Sequence, residues 1–334
     1  MNANYNGDPA ISALTDNRAL DQLFACPACH AGLHILADQT LHCQAEGYFF
    51  QQVDGIWRFL LSTRQEYYQQ FIQEYEAIRR AEGRGSEQAA YYLALPWCDL
   101  NGRDQAGWAI RAHSFQALLE SVIHPLEDAG GEPLSILDAG AGNGWLSYQM
   151  ARRGHRLVAL DLLTNRFDGL GAHVHYDVNF IPVQGEFDHL PFLDQRFDLL
   201  VYNASLHYAV EYEKVILEGL RILKAGGTIV IMDTPVYRDG SSGARMVQAR
   251  EAQFTCQHGF PSNSLPSQNY LTHDHLNDLA AKFSLSCRLL TPGYGLRWRL
   301  RPVMARLLGR REPARFHLIL LREHSVGGAI ESER

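Results

Sequence analysis

The chain has 334 residues, 46% hydrophobic and 20% charged, which is the composition of a globular protein larger than one ordinary domain. Its net charge of −7 argues against a general polyanion binder, and no apolar run reaches membrane-spanning length. Residues 1–20 read as a polar tail with neither a basic n-region nor an apolar h-region. A cytoplasmic protein is therefore expected, with its six cysteines as thiols or metal ligands rather than disulfides.

Phe24-Ala-Cys26-Pro-Ala-Cys29-His30 opens a small module, followed by His42-Cys43-Gln-Ala-Glu46-Gly47 and YFFQQVDGIWRFL over 48–60. Cysteine knuckles joined by a short hairpin are how a zinc ribbon folds with little core. Cys26, Cys29 and Cys43 are the expected ligands, and Glu46 stands where a fourth cysteine belongs. Glu46, His42 or His30 could complete a tetrahedral site; the alternative is a ribbon that has lost its metal and kept its hairpin. Residues 63–82 place Tyr67, Phe71, Tyr75 and Ile78 at helical spacing, with Ser62 as a possible cap and the stripe packed on the core. Residues 111–124 predict a helix ending before Pro125, and 127–133 a linker.

The organising stretch is SILDAGAGNGWLS, residues 135–147. An apolar strand ends in Asp138, and glycines follow at 140, 142 and 144 before a helix. Such a turn brings bare backbone close to a ligand. Arg156-Leu-Val-Ala-Leu160 is a second buried strand ending in Asp161, 23 residues after Asp138. Residues 180–184 predict a third strand, leading into Gly185-Glu186-Phe187-Asp188-His189-Leu190-Pro191-Phe192. FDLLVYNASLHY over 197–208 supplies a fourth strand, and a helix over 210–223 leads to KAGG and a fifth strand over 228–232.

This order of motifs resembles the class I S-adenosylmethionine (SAM) methyltransferases over roughly residues 105–322: D-x-G-x-G-x-G for motif I, then the LPF loop and the R-L-KPGG turn with Ala225 in place of Pro. The resemblance implies an α/β fold, a doubly wound, mostly parallel seven-stranded sheet with the seventh strand antiparallel. The expected division is a tail and zinc-ribbon-like module over 1–62, a helical linker or lid over 63–130, and the SAM-binding domain over 131–325. The VDGIWRFL ending also resembles zinc-ribbon modules attached to, or partnered with, several methyltransferases.

The resemblance further implies that Asp138, with backbone at Ala139, Gly140 and Gly142, holds the methionine end of SAM, and that Asp161 accepts from both ribose hydroxyls. Leu162 and Phe187 flank the adenine, Glu186 accepts from its amino group, and Asn203 and Ala204 lie beneath the sulfonium. Arg111 is a candidate clamp for the methionine carboxylate, the alternative being a surface salt bridge. Tyr92 and Trp108 are pocket candidates or core. His207 is the first candidate base and Tyr208 the second, with His113 and His175 behind them; a lone His is often structural.

After the fifth strand, 233–243 reads as a polar loop that could carry specificity, and 244–257 as a helix. Thr272 caps a helix running to about Phe283, and strands follow over 284–290 and 314–321. Arg297–Arg315 carries seven arginines and one glutamate, net +6, leaving −13 for the remainder. It is either a contact for an anionic headgroup, a phosphorylated substrate or RNA, or a solvated helix whose Leu, Val and Met face packs inward. The function implied is methyl transfer to a small-molecule or lipid-like acceptor. The alternatives are an RNA methyltransferase, disfavoured by the acidic total and the incomplete ribbon, or a SAM-fold protein or partner subunit that does not methylate.

Overall fold

The structure, a computed structural model, describes residues 20–130, 132–259 and 264–324. The predicted polar tail before residue 20 and residues 260–263 of the predicted irregular segment lie outside the described residues.

Three short strands, β1 (His34–Ile35), β2 (Leu41–His42) and β3 (Phe49–Phe50), form a small antiparallel sheet. The chain then enters β4 (Gln52–Val53) and β5 (Ile56–Arg58), a hairpin turned at Asp54 and Gly55, both with positive φ. Here the architecture exceeds the expected seven strands. β5 pairs in parallel with β8 (Ile181–Gln184), Trp57 opposite Val183, so the central sheet has nine strands. Its order is β13-β14-β10-β9-β6-β7-β8-β5-β4. The remaining members are β6 (Ser135–Ala139), β7 (Arg156–Asp161), β9 (Phe197–Asn203), β10 (Leu223–Met232), β13 (Leu285–Leu290) and β14 (Leu318–Glu323). β14 runs antiparallel to both neighbours, as expected of the seventh strand. A further pair, β11 (Val236–Tyr237) and β12 (Leu271–Thr272), lies beside it and turns the predicted 233–243 loop into a short ribbon.

Strand residues alternate between two cores, as a pleated sheet requires. Leu137, Val158, Leu160, Leu200 and Ile229 face one side together with Phe24, Phe50, Trp57 and Phe59 of the N-terminal module. Ile136, Leu157, Ala159, Leu199 and Val230 face the other. On that second side lie the helices α2 (Ala89–Ala94), α3 (Gln105–Leu118) and α5 (Trp145–Ala151). α3 continues through a π-helical turn, Leu119–Ile123, into α4 (His124–Gly130). The predicted stop before Pro125 is therefore corrected: the π turn re-registers the backbone bonds, and Pro125 falls in the first turn of α4, where a missing N–H is tolerated.

α1 (Ser62–Ala81) is the predicted aromatic helix, but its N-cap is Leu61, so Ser62 is helical rather than capping. α6 (Tyr212–Ile222) and α7 (Gly240–His258) follow, then α8 (His273–Lys282), whose Thr272 hydroxyl accepts from His275 N–H as expected. α9 (Leu296–Leu307) completes the set.

Phe24 stacks between Trp57, Phe59 and Phe192 at centroid distances of 4.8–5.9 Å, so the module's core and the sheet's core are continuous. Trp57→Ala is expected to cost about 3–5 kcal/mol in urea unfolding. The transition should stay single; separate melting of the N-terminal module would show that this packing does not couple the two.

Candidate functional site

The carboxyl ends of parallel strands collect loops at one sheet edge, and β6, where the order reverses, is the switch point. A cavity of about 400 Å3 lies there. Its floor is the turn after β6: Gly140, Gly142 and Gly144 all have positive φ, and a Cβ at Gly140 would collide with Ser205. The turn is pinned by Asp161, whose Oδ2 accepts from Gly142 N–H and Oδ1 from Leu163 N–H, both at 2.8 Å. Burial pushes the Asp161 carboxyl up to about 6 against those two hydrogen bonds.

Of the residues singled out in the sequence, Gly140, Gly142, Asp161, Leu162, Glu186, Phe187, Asn203, Ala204, Arg111, Trp108 and Tyr208 line the cavity. Asp138 and Ala139 lie beneath its wall instead. Asp138 is fully buried, with Oδ2 accepting from Ser147 Oγ at 2.9 Å and Oδ1 without a partner among the described residues. Ala139 O accepts from Ser205 Oγ at 2.6 Å. His207 also stands off the cavity: it is buried beside Thr234, its carbonyl accepts from Asn269 N–H at 3.1 Å, and desolvation lowers its pKa to about 3. The short 3₁₀ turn Leu206–Tyr208 sends His207 inward and Tyr208 to the cavity. Tyr92 is core, donating to Phe167 O at 2.7 Å and stacking on His175, and His113 packs near Tyr294.

Arg64, Tyr68 and Arg79 have no counterpart in the sequence reading, and the expectation that the Phe71–Tyr75 stripe packs on the core is corrected, since both rings line the cavity. α1 lies over the cavity and presents Arg64, Tyr68, Phe71, Tyr75 and Arg79. The signal was available: these positions recur at i, i+4, i+7, i+11 and i+15, one helical face with a cation at each end. Arg64 Nε donates to both Glu186 oxygens at 2.8 and 2.9 Å, so the expected adenine acceptor already holds an ion pair. Burial pushes the Glu186 carboxyl up and the Arg64 hydrogen bonds pull it back. His189, 3.4 Å from Glu186, is the histidine that lines this cavity among the described residues. At the glycine-loop end, Arg79 pairs with Asp168 at 3.2 Å, while Arg84 and Arg111 share Asp104 at 2.9 and 3.4 Å. Arg111 also sits over the Trp108 ring at 4.8 Å. Arg84 and Arg111 share a single acid, which leaves guanidinium N–H donors at that end suited to a carboxylate.

The residues present fit SAM. Asn203 lines the cavity with a buried Oδ1 that has no partner among the described residues, an acceptor free for a cationic or N–H-bearing ligand. Asp161 keeps further lone pairs for hydroxyl donors beyond its two backbone bonds.

The N-terminal module holds a second cluster. The sulfurs of Cys26, Cys29 and Cys43 lie within 4.8 Å of one another, Cys29 and Cys43 at 3.6 Å. Zinc–sulfur bonds of about 2.3 Å put tetrahedral sulfurs about 3.8 Å apart, so three thiolates fit. Among the described residues no fourth ligand joins this group. This corrects the expected completion: Glu46 is outside it, His42 stacks on Phe49 at 4.4 Å, and His30 faces Glu218 at 3.5 Å.

Residues 137–231 match a family model described as a methyltransferase domain. The chain is 35% identical over 97 residues to a malonyl-[acyl-carrier protein] O-methyltransferase of Buchnera aphidicola, covering 29% of this chain and 38% of that protein. It is 33% identical over 102 residues to a demethylmenaquinone methyltransferase of Thermobifida fusca, covering 29% and 42%. It is 28% identical over 123 residues to a tRNA 5-carboxymethoxyuridine methyltransferase of Escherichia coli, covering 35% and 47%. The chain thus spans less than half the length of each of these relatives. The family match falls on the strands and the glycine turn of the central sheet, in the order that the class I SAM-dependent methyltransferase resemblance implies.

Asp138 generates a pH prediction. Burial pushes its carboxyl up to about 7, so the folded protein holds a proton that the unfolded chain releases near pH 4. Stability contributed by the protonated form is full below about pH 4 and is lost as pH rises to about 7. Asp138→Asn should flatten that slope, gaining on the order of 2–4 kcal/mol relative to wild type at pH 8 but little at pH 4, by urea unfolding. An unchanged slope would show that Asp138 ionises freely in the folded state.

Proposed function

We propose that this protein is a SAM-dependent methyltransferase acting on a small, apolar, lipid-like acceptor. The observation that carries the reading is a cavity with two unlike walls. One is the sheet edge, with the glycine turn, Asp161, Phe187 and Asn203; the other is aromatic, with Phe71, Tyr75 and Tyr208 in contact at centroid distances of 5.5–6.0 Å.

Bound SAM supplies a methyl on a sulfonium, and transfer is an in-line displacement in which proximity and alignment lower the barrier. In this reading the backbone of Gly140 and Gly142 lies along the cofactor, and Asp161 accepts from the ribose hydroxyls. Phe187 and Leu162 flank the adenine, and Arg111 with Arg79 and Arg84 faces the methionine carboxylate. Asn203 and Ala204 lie under the sulfonium. Asp138 acts indirectly, holding the turn through Ser147. Tyr208 replaces His207 as the residue facing the acceptor. Burial pushes the Tyr75 phenol well above its ordinary value, so it stays neutral and shapes the acceptor wall.

Relatives named for an acyl-carrier protein, a quinone and a tRNA leave three acceptor classes. The aromatic wall favours the lipid-like one. Calorimetric titration with S-adenosylhomocysteine is expected to give micromolar binding, weakened about 10–100-fold in Asp161→Ala. No binding to the wild type would remove the cofactor reading. With SAM carrying a labelled methyl, label should enter a lipid extract; label in bulk RNA would overturn the acceptor class, and binding without turnover would favour a non-methylating role.

We also infer that Cys26, Cys29 and Cys43 hold one zinc, with the fourth position taken by solvent or by a group from outside this module. Metal analysis should find one zinc per chain, lost in Cys43→Ser. Because Phe24, Trp57 and Phe59 remain packed on the sheet, chelation should lower Tm without unfolding the chain. A metal-free wild type after zinc loading would leave the ribbon held by its core alone.

A further inference from the structure

α9 does not turn its apolar residues inward. Leu296, Leu300, Val303, Met304, Leu307 and the following Leu308 are 46–76% exposed, and the helix has no buried residue. At about 100° per residue, the first five fall within an arc of about 100°. Arg299 and Arg306 flank that arc on one side, and Arg297 and Arg301 on the other. Trp298, Pro302 and Ala305 occupy the opposite, half-buried face, Trp298 stacking on Phe316 at 5.7 Å. No acid occurs from Leu296 to Arg311, and the first acid after it, Glu312, pairs with Arg315 at 3.7 Å.

We propose that α9 is an in-plane membrane anchor that seats this protein on an anionic bilayer surface. An apolar ridge bordered on both sides by cations is the pattern of a helix lying at the headgroup–acyl boundary, with its side chains in the acyl region and its arginines among the phosphates. An RNA would neutralise the arginines and leave the ridge in water. The rest of the chain carries −13, so an anionic surface repels that remainder on balance and favours orienting the molecule on this segment. A groove of about 870 Å3 beside the helix, lined by Tyr237 and Phe316 as well as Arg301 and Arg311, offers apolar walls and cations to the same lipid. Tyr237 lies on β11, just after β10 leaves the sheet edge that carries the cavity.

The test is flotation of the full chain with vesicles of phosphatidylcholine alone and of phosphatidylcholine with about a third phosphatidylglycerol. Binding is expected on the anionic vesicles and should weaken with salt. Leu300→Glu with Leu307→Glu should lower it about tenfold or more. Arg297→Gln, Arg299→Gln and Arg306→Gln should each lower it about fivefold. All these positions are exposed, so each variant should keep the wild-type Tm. Equal binding to both vesicle types, or none, would overturn the proposal. So would a solution dimer abolished by Leu307→Glu, since a second copy would then cover the face, or bulk tRNA displacing the protein from the vesicles.

Discussion

Two loops are held together by one carboxylate. Asp161, at the end of β7, accepts from Gly142 in the loop after β6 and from Leu163 in its own loop. Gly140 and Ala141 N–H both donate to Leu160 O, at 2.7 and 3.0 Å, so the glycine turn closes onto β7 as well as onto the acid. This geometry needs positive φ at Gly140 and Gly142, which a side-chain-bearing residue adopts at a cost. The floor of the cavity is thus backbone fixed by a half-buried carboxylate. Desolvation opposes that charge, and two N–H donors within one loop's width offset the opposition.

The roof is fixed by charges of the other sign. Arg64 and Arg79 lie about four turns apart on α1, and each reaches down to an acid on the floor side, Glu186 and Asp168. Between them Tyr68, Phe71 and Tyr75 hang into the cavity. Partly buried pairs of this kind are worth less for stability than for register, because desolvation offsets much of their attraction. Their consequence is positional: α1 lies along the cavity in one orientation, with its aromatic face toward the site and Gln65, Glu66, Gln69, Gln70 and Gln73 toward water.

What was legible in the sequence follows from how local each constraint is. The glycine turn, Asp161, Asn203 and the order of strands were readable because a strand that ends in an acid and turns through glycine carries its own geometry. The direction of Tyr208 against His207 was not, because a 3₁₀ turn after β9 decides it and no periodicity marks three residues. Glu186 was readable as a strand-end acid, but its partner stands 122 residues earlier. The N-terminal module was legible as cysteine knuckles and a hairpin. That its last strand extends the central sheet depends on Trp57 meeting Val183, a docking event with no signature in either segment. For α9 the sequence leaves two readings open, an anionic contact or an inward-packed apolar stripe, because periodicity alone does not say which face packs. Here Trp298 and Ala305 supply the packing and the stripe is left over.

Charge separation then acquires a physical sense. An acidic chain with a surplus of positive charge gathered on one exposed helix and the segment that follows it has a preferred orientation in any anionic field. The interior repeats the theme at smaller scale, with arginines at the glycine-loop end of the cavity and aromatic rings along α1. A polar, charged cofactor and an apolar acceptor make opposite demands on one cavity. Solvating both in a single undivided pocket would leave one of them poorly matched. The chain meets those demands with different structural materials. The polar demand falls on backbone and short acids at strand ends, where the sheet fixes position. The apolar demand falls on a helix that can be anchored at both ends by ion pairs while its middle is chosen for shape.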